Sequence, residues 1–163
     1  MSTNTEDNFL DIMLIEEENF FIKSEAKTYQ EIIKELGEHL FSKGYVKDTF
    51  TQAVLDREEA YPTGLQAPGG GVAIPHTDSE HVITSALSIA TLDEPVDFHV
   101  MAEPDKIVPV SAVMMLAVAD PEKVIPVLRK VISIVQDAEA IKNLINSVSK
   151  EEAKQIVIDH ITA

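Results

Sequence analysis

The sequence has no cysteine among its 163 residues. Disulfides, thiolate zinc sites and cysteine nucleophiles are therefore excluded, and the absence fits a cytoplasmic protein. Basic residues are also scarce: 13 Lys and Arg stand against 28 Asp and Glu, for a net charge of −15. Nucleic-acid backbones demand a basic footprint, and anionic membrane surfaces attract basic segments, so both partner classes are disfavoured. Any negatively charged substrate group has to find a local positive pocket against an unfavourable overall field. Long apolar runs are missing too. The longest, Val108 to Ala119, is interrupted by Pro109 and Ser111 and falls short of the roughly 20 residues that span a bilayer. Residues 1–7 show no basic stretch leading into an apolar core, so no secretory signal is expected. There is no Gly-x-x-x-x-Gly-Lys-Ser/Thr loop, no Gly-x-Gly-x-x-Gly after a strand, no Gly-x-Ser-x-Gly elbow and no His-Glu-x-x-His. The nucleotide, serine-hydrolase and zinc-protease routes that depend on those motifs are closed, and no cofactor is expected.

What is present suits one domain. The length is that of a single ordinary fold, and 45% hydrophobic residues are enough to bury a core. Residues 1–8 read as a loose polar tail, with the domain over 9–163. Ile12 to Ile15 and Phe20 to Ile22 are short apolar runs. Thr28 and Glu31 form a capping-box pattern ahead of a helix carrying Ile32, Leu36 and Leu40 on one face, and Gly44 stops it. Asp48 is expected to cap a second helix, in which Phe50, Val54 and Arg57 share a face. Val72 to Ile74 reads as a short buried strand ended by Pro75. Ser85 to Leu92 reads as a strand, Asp93-Glu94-Pro95 as a turn, Val96 to His99 as a short edge strand, and Ile107 to Ala119 as the most buried strand. Asp120-Pro121, Asp137 and Ser149 with Glu152 mark three helix starts. Pro126 is expected either in a first turn or in an irregular stretch. Mixed strands, with helices at both ends of the chain, predict a layered α/β domain.

Five histidines are present. His39 and His160 fall in expected helices, His99 at the edge strand. His76 follows a buried strand and a rigid proline, with a Gly-rich loop on the strand's other side. Sites in α/β sheets collect at the carboxyl ends of strands, and Pro75 stiffens the mount. The residue pattern alone leaves a reactive histidine and a plain turn histidine both open. A metal site from His76, Asp78, Glu80 and His81 has suitable donor types. Its spacing matches no tight ligand pattern and reads more simply as a polar segment with Asp78 as a cap, so no metal is expected. A neutral imidazole can instead act as a nucleophile. A phosphoryl group on it would need compensating charge, for which Arg57 has the planar fork. Thr63 and Thr77 offer hydroxyl donors. A salt bridge or an end-of-helix dipole contact is the plain alternative for Arg57.

Arg57-Glu58, then Pro62-Thr63-Gly64-Leu65, then Gly71-Val72-Ala73-Ile74-Pro75-His76 resembles the enzyme IIA family of the fructose–mannitol class of the phosphoenolpyruvate-dependent sugar phosphotransferase system (PTS). The likeness is most like the galactitol-type branch and extends more weakly from about Ile15 to Ile161. It implies a mixed sheet flanked by helices. It implies that His76 takes a phosphoryl group at Nε2 from the histidine of HPr and passes it to an enzyme IIB, with Arg57 at the phosphate site and a membrane IIC further along. Family members often carry a second histidine at the start of the helix after the long strand. Here Lys123 stands at or beside that place, with His81 as the other candidate substitute. The glycines before Val72 are expected to keep the approach open, and Leu65, Val72 and Ile74 to help dock partners. The same histidine motif occurs in regulatory relatives, so the resemblance also allows a domain whose phosphorylation controls another protein.

Overall fold

A computed structural model describes residues 8–163. In chain order the elements are α1 (Phe9–Ile12), β1 (Phe20–Ser24), α2 (Tyr29–Ser42), α3 (Phe50–Ala60), β2 (Gly64–Ala67), β3 (Gly70–Ala73), β4 (Ala86–Val100), β5 (Glu103–Ala117), α4 (Val124–Val135), α5 (Ala138–Ile145) and α6 (Lys150–Thr162). The tail expected over residues 1–8 lies outside the described residues except for Asn8, whose side chain caps α1.

Local chemistry sets most helix ends. Thr28 Oγ1 accepts from the Glu31 N–H at 3.1 Å, and the Glu31 carboxylate accepts from the Lys27 N–H at 2.7 Å, which satisfies donors the helix cannot. Gly44 leaves α2 with φ +79, a conformation that costs glycine little. Asp137 and Ser149 cap α5 and α6 through the N–H groups of Ala140 and Glu152. Pro126 sits in the first turn of α4, where its missing N–H has no intrahelical acceptor to lose. The cap of α3 differs from expectation. The helix starts after Thr49 rather than after Asp48, and no side chain caps it. The Thr49 hydroxyl is instead bonded to His81 Nδ1 at 2.8 Å.

The frame is the long antiparallel β4–β5 hairpin, in register from Ala86 opposite Ala117 to Val100 opposite Glu103. β1 runs parallel along the first half of β4, and β3 runs parallel to β5 at Val72 and Ala73. β2 and β3 form a second hairpin, and Gly64 of β2 reaches Val100 at the far end of β4. Pairings among β4, β2, β3 and β5 therefore close a ring, with β1 outside it. The turn expected at Asp93-Glu94-Pro95 is a bulge within one continuous β4. Thr91 pairs with Ala112 and Val96 already with Val110. An inserted segment of this kind bends a strand without ending it. The facing of β5 changes phase at the same place: Val108 and Val110 share one core with Val113 and Met115, whereas Ala112 and Met114 belong to the other.

Each sheet face is covered. Ile32, Leu36 and Leu40 of α2 and Phe50 and Val54 of α3 pack with Ala90, Phe98, Val113 and Met115 on one side. Val127 and Val131 of α4, Ile141 of α5 and Val157 of α6 pack with Ile89, Met114 and Leu116 on the other. The result is a single mixed α/β domain, as the patterns predict, with alternate residues of β4 and β5 feeding opposite cores. Each fully buried Leu or Ile contributes roughly 1.5–3 kcal/mol. Among the described residues no helix is long and apolar enough to cross a membrane.

Candidate functional site

His76 stands just beyond the carboxyl end of β3, held by the two residues that precede it. The Ile74 N–H donates to Thr63 Oγ1 at 3.1 Å. The Pro75 carbonyl accepts from the Leu116 N–H of β5 at 3.1 Å. Between these anchors, the Ile74 carbonyl lies 2.8 Å from His76 Nδ1. A carbonyl can only accept, so Nδ1 carries the proton and Nε2 keeps its lone pair. That carbonyl belongs to the peptide with Pro75, which has no N–H of its own.

Thr63 is buried, and its hydroxyl is already committed. It donates to Glu58 Oε1 at 2.8 Å, while the Thr63 N–H donates to Glu58 Oε2 at 2.7 Å. Thr63 therefore touches His76 only through Ile74. Glu58 is buried, on the same stripe as Phe50 and Val54. Burial pushes its carboxyl above the ordinary range, and the two bonds from Thr63 oppose that. Sequence reasoning named Glu58 only as part of a motif. The signal that finds it is a carboxylate four residues after Val54 on an apolar stripe, with a threonine five residues further on.

Arg57 lies at the margin of that stripe, its side chain 38% exposed. Its guanidinium carbon sits 5.6 Å from the centre of the Tyr61 ring, and its Nη1 is 3.8 Å from Asp78 Oδ1. Arg57, His76, Thr77, Asp78 and Ser79 share a cleft of roughly 600 Å³, closed on its other side by Pro121, Val124, Ile125 and Leu128 of the α4 entrance. Lys123 lies within that entrance but does not line the cleft. His81 lines a neighbouring cleft, whose wall of Arg57, Thr77 and Asp78 is common to both. The structure thus brings Arg57 and Thr77 to His76, and leaves Thr63, His81 and Lys123 outside its cleft.

Two expectations about access are overturned. Of the three expected docking residues, Val72 and Ile74 are fully buried and offer no docking surface, whereas Leu65 is partly exposed. The exposed apolar side chains beside the cleft are Tyr61 and Ile125. The glycines before Val72 face the protein itself: a Cβ on Gly71 would stand 1.9 Å from the Pro109 carbonyl oxygen, and one on Gly69 2.5 Å from that of Ala138. They serve close packing of β3 on β5 and α5. No group of three or more His, Asp and Glu side chains suited to a metal ion occurs among the described residues.

Burial holds the His76 imidazole below the ordinary histidine range. The bond to Ile74 opposes this, Arg57 reinforces it and Asp78 opposes it. The ring is therefore neutral near pH 7. Because the folded pKa is depressed, the neutral ring's contribution to stability is complete above the ordinary value of 6.5. It is lost as the pH falls from there through the lowered folded pKa. Any nucleophilic reaction at Nε2 follows the neutral fraction. Its rate should decline with falling pH about a midpoint that lies below 6.5. A single-turnover pH profile with its midpoint at or above 6.5 would show that burial does not govern this ring.

Residues 13–160 match the family described as phosphoenolpyruvate-dependent sugar phosphotransferase system, EIIA 2. The galactitol-specific EIIA component of Escherichia coli K12 is 33% identical over 102 residues, which is 61% of this chain and 67% of the relative. The transcriptional regulator ManR of Bacillus subtilis is 37% identical over 98 residues, 60% of this chain but 14% of the regulator. Among solved structures, the mannitol enzyme IIA of Escherichia coli in complex with phosphorylated mannitol enzyme IIB superimposes with a TM-score of 0.71. The two are 28% identical, with 87% of this chain and 95% of that one covered.

Proposed function

The chain belongs to the EIIA 2 family of the phosphoenolpyruvate-dependent sugar phosphotransferase system, whose members are phosphotransferase phosphocarriers, and on that premise we propose that His76 Nε2 accepts a phosphoryl group from phospho-HPr and hands it to an enzyme IIB. The bond from Nδ1 to the Ile74 carbonyl carries this reading. It supports a neutral imidazole with its lone pair on Nε2, in the cleft that Arg57 lines. In the transfer, the Nε2 lone pair forms a bond to phosphorus as the phosphorus–nitrogen bond of the donor breaks. The electron pair of that bond returns to the donor imidazole. The His76 Nδ1 proton stays where it is, and the positive charge the ring acquires is met by the Ile74 carbonyl. Phosphoryl transfer needs mainly positioning and charge stabilisation, and no nucleotide or metal enters the step.

Arg57 supplies the charge. With Asp78 only loosely paired at 3.8 Å, its fork is available to phosphoryl oxygens. Arg57→Ala should slow phosphoryl acceptance about 100-fold, the scale of losing one preorganised electrostatic donor, while thermal unfolding stays near that of the parent. Unchanged transfer kinetics would remove Arg57 from the reaction.

The galactitol component among the relatives supports a polyol as the final acceptor, taken up through a membrane IIC, with this chain working in the cytoplasm. The likeness to a transcriptional regulator supports a second reading, in which phosphorylation of His76 controls a partner protein. The deciding experiment incubates the chain with phosphoenolpyruvate, enzyme I and HPr, then adds an enzyme IIB of the galactitol type. Acid-labile label at His76 Nε2, followed by its passage to IIB, is the expected result. Label that stays on the chain favours the regulatory reading. Absence of label at His76 overturns both.

A further inference from the structure

Among the described residues, three buried side-chain polar atoms have no hydrogen-bond partner: Asn19 Nδ2, Arg57 Nε and Ser79 Oγ. Native folds keep few such atoms, because each costs about 1–3 kcal/mol. Two of the three, Arg57 Nε and Ser79 Oγ, belong to residues lining the cleft that contains His76. Both can donate. A shared acceptor with several oxygens, held between them, would satisfy both. We propose that Ser79 Oγ donates a hydrogen bond to an oxygen of the phosphoryl group carried by His76, a role that rests on the phosphocarrier reading above.

The setting of Ser79 favours this over a structural duty. The residue opens a 3-10 turn, Ser79–His81, whose N-cap Asp78 makes no side-chain capping bond. A serine at such a place ordinarily turns its hydroxyl back onto nearby backbone, and this one does not. The turn is also fixed from behind. The His81 carbonyl accepts from the Lys47 N–H at 2.9 Å, and His81 Nδ1 is bonded to Thr49 Oγ1 at 2.8 Å. The N–H groups of Ile83 and Thr84 both donate to the Tyr45 carbonyl. A donor on so fixed a support reorganises little when charge arrives, which is where electrostatic catalysis is strongest. Asp78 and Glu80 flank Ser79 with side chains that are 75% and 77% exposed, so their charge is largely given to solvent. The serine keeps its proton throughout and forms no covalent bond.

The test compares the parent with Ser79→Ala and Ser79→Cys, the latter close in shape but a weak donor. Three quantities are measured: the rate of label acceptance from phospho-HPr, the half-life of phosphorylated His76, and thermal stability with and without the phosphoryl group. Both variants should accept label about 10-fold more slowly, the scale of one hydrogen bond to a charged group, and lose it faster. Without the phosphoryl group they should be at least as stable as the parent, since a shielded, unpaired hydroxyl has been removed. They should also gain less stability than the parent on phosphorylation. If the parent takes no label on His76, the phosphocarrier reading fails and takes this role with it. If the parent is labelled and both variants match it in rate and half-life, Ser79 alone is refuted. Slow acceptance accompanied by an equal loss of stability in the unphosphorylated variants would assign Ser79 to the fold and overturn the proposal.

Discussion

His76→Gln should accept no measurable phosphoryl group from phospho-HPr, against full labelling of the parent under the same conditions. The expectation follows from the way nucleophilicity is distributed in the site. Nε2 is the atom with a free lone pair on a neutral ring, and an amide nitrogen in its place has its lone pair delocalised into the carbonyl. His81 is the nearest other imidazole in sequence. It lines the adjacent cleft and not the one that holds His76, so it is not expected to take the label in its place. The fold should survive the change. The imidazole is half-buried and makes one hydrogen bond, worth about 1 kcal/mol net. Thermal unfolding a few degrees below the parent, with labelling abolished, is the expected pair of results. Label persisting on the variant would mean that another residue carries the phosphoryl group.

Thr63→Val should damage stability and transfer together. The side chains are nearly equal in shape, so packing changes little. The loss is polar. Glu58 Oε1 loses its donor, and the Ile74 N–H loses its acceptor, in a region where Glu58, Thr63 and Ile74 are all buried. Each orphaned group costs about 1–3 kcal/mol, and the charged one belongs at the upper end. A loss of about 3 kcal/mol in urea unfolding is expected. Transfer should slow about 10-fold or more beyond the fraction unfolded, because the Ile74 carbonyl that orients His76 is no longer held from behind. Thr63→Ser keeps the hydroxyl and should restore most of the rate. If Thr63→Val is stable and transfers normally, the link from Glu58 through Thr63 and Ile74 does not position His76.

Much of the fold is readable from short-range chemistry. Thr28 with Glu31, Asp137 and Ser149 with Glu152 cap their helices through N–H groups at most three residues away, so sequence neighbours contain the whole cause. Features that depend on distant pairing are less legible. Asp93-Glu94-Pro95 has the composition of a turn, but β5 continues alongside and carries the strand through it as a bulge. Thr49 rather than Asp48 flanks α3, with its hydroxyl engaged by His81, 32 residues away. The glycines before Val72 look like a device for access, and only the position of Pro109 shows that they permit close packing.

The candidate site divides in the same way. His76 stands out by its place after a strand and a proline, and the helical spacing that brings Arg57 near the apolar stripe is local. Helical period alone does not tell that Glu58 is the buried residue of the pair and Arg57 the marginal one. That is decided by Thr63, which folds back to receive the carboxylate. Ser79 is one of several small polar residues in sequence, and its isolation from other polar groups is visible only in three dimensions.

The bond between His76 Nδ1 and the Ile74 carbonyl has a bearing on direction. A carrier that had to shed or recapture a proton at each exchange would favour one direction at a given pH, like a ratchet. In the transfer proposed for His76, the proton sits on the same nitrogen before and after, and the carbonyl facing it cannot supply or remove one. On that reading, loading and unloading each form one bond to phosphorus and break another, with no net proton change at His76. Net flow through such a carrier is set by the transfer potentials and the filling of the donor and acceptor pools, which makes the proposed site a two-way junction between them.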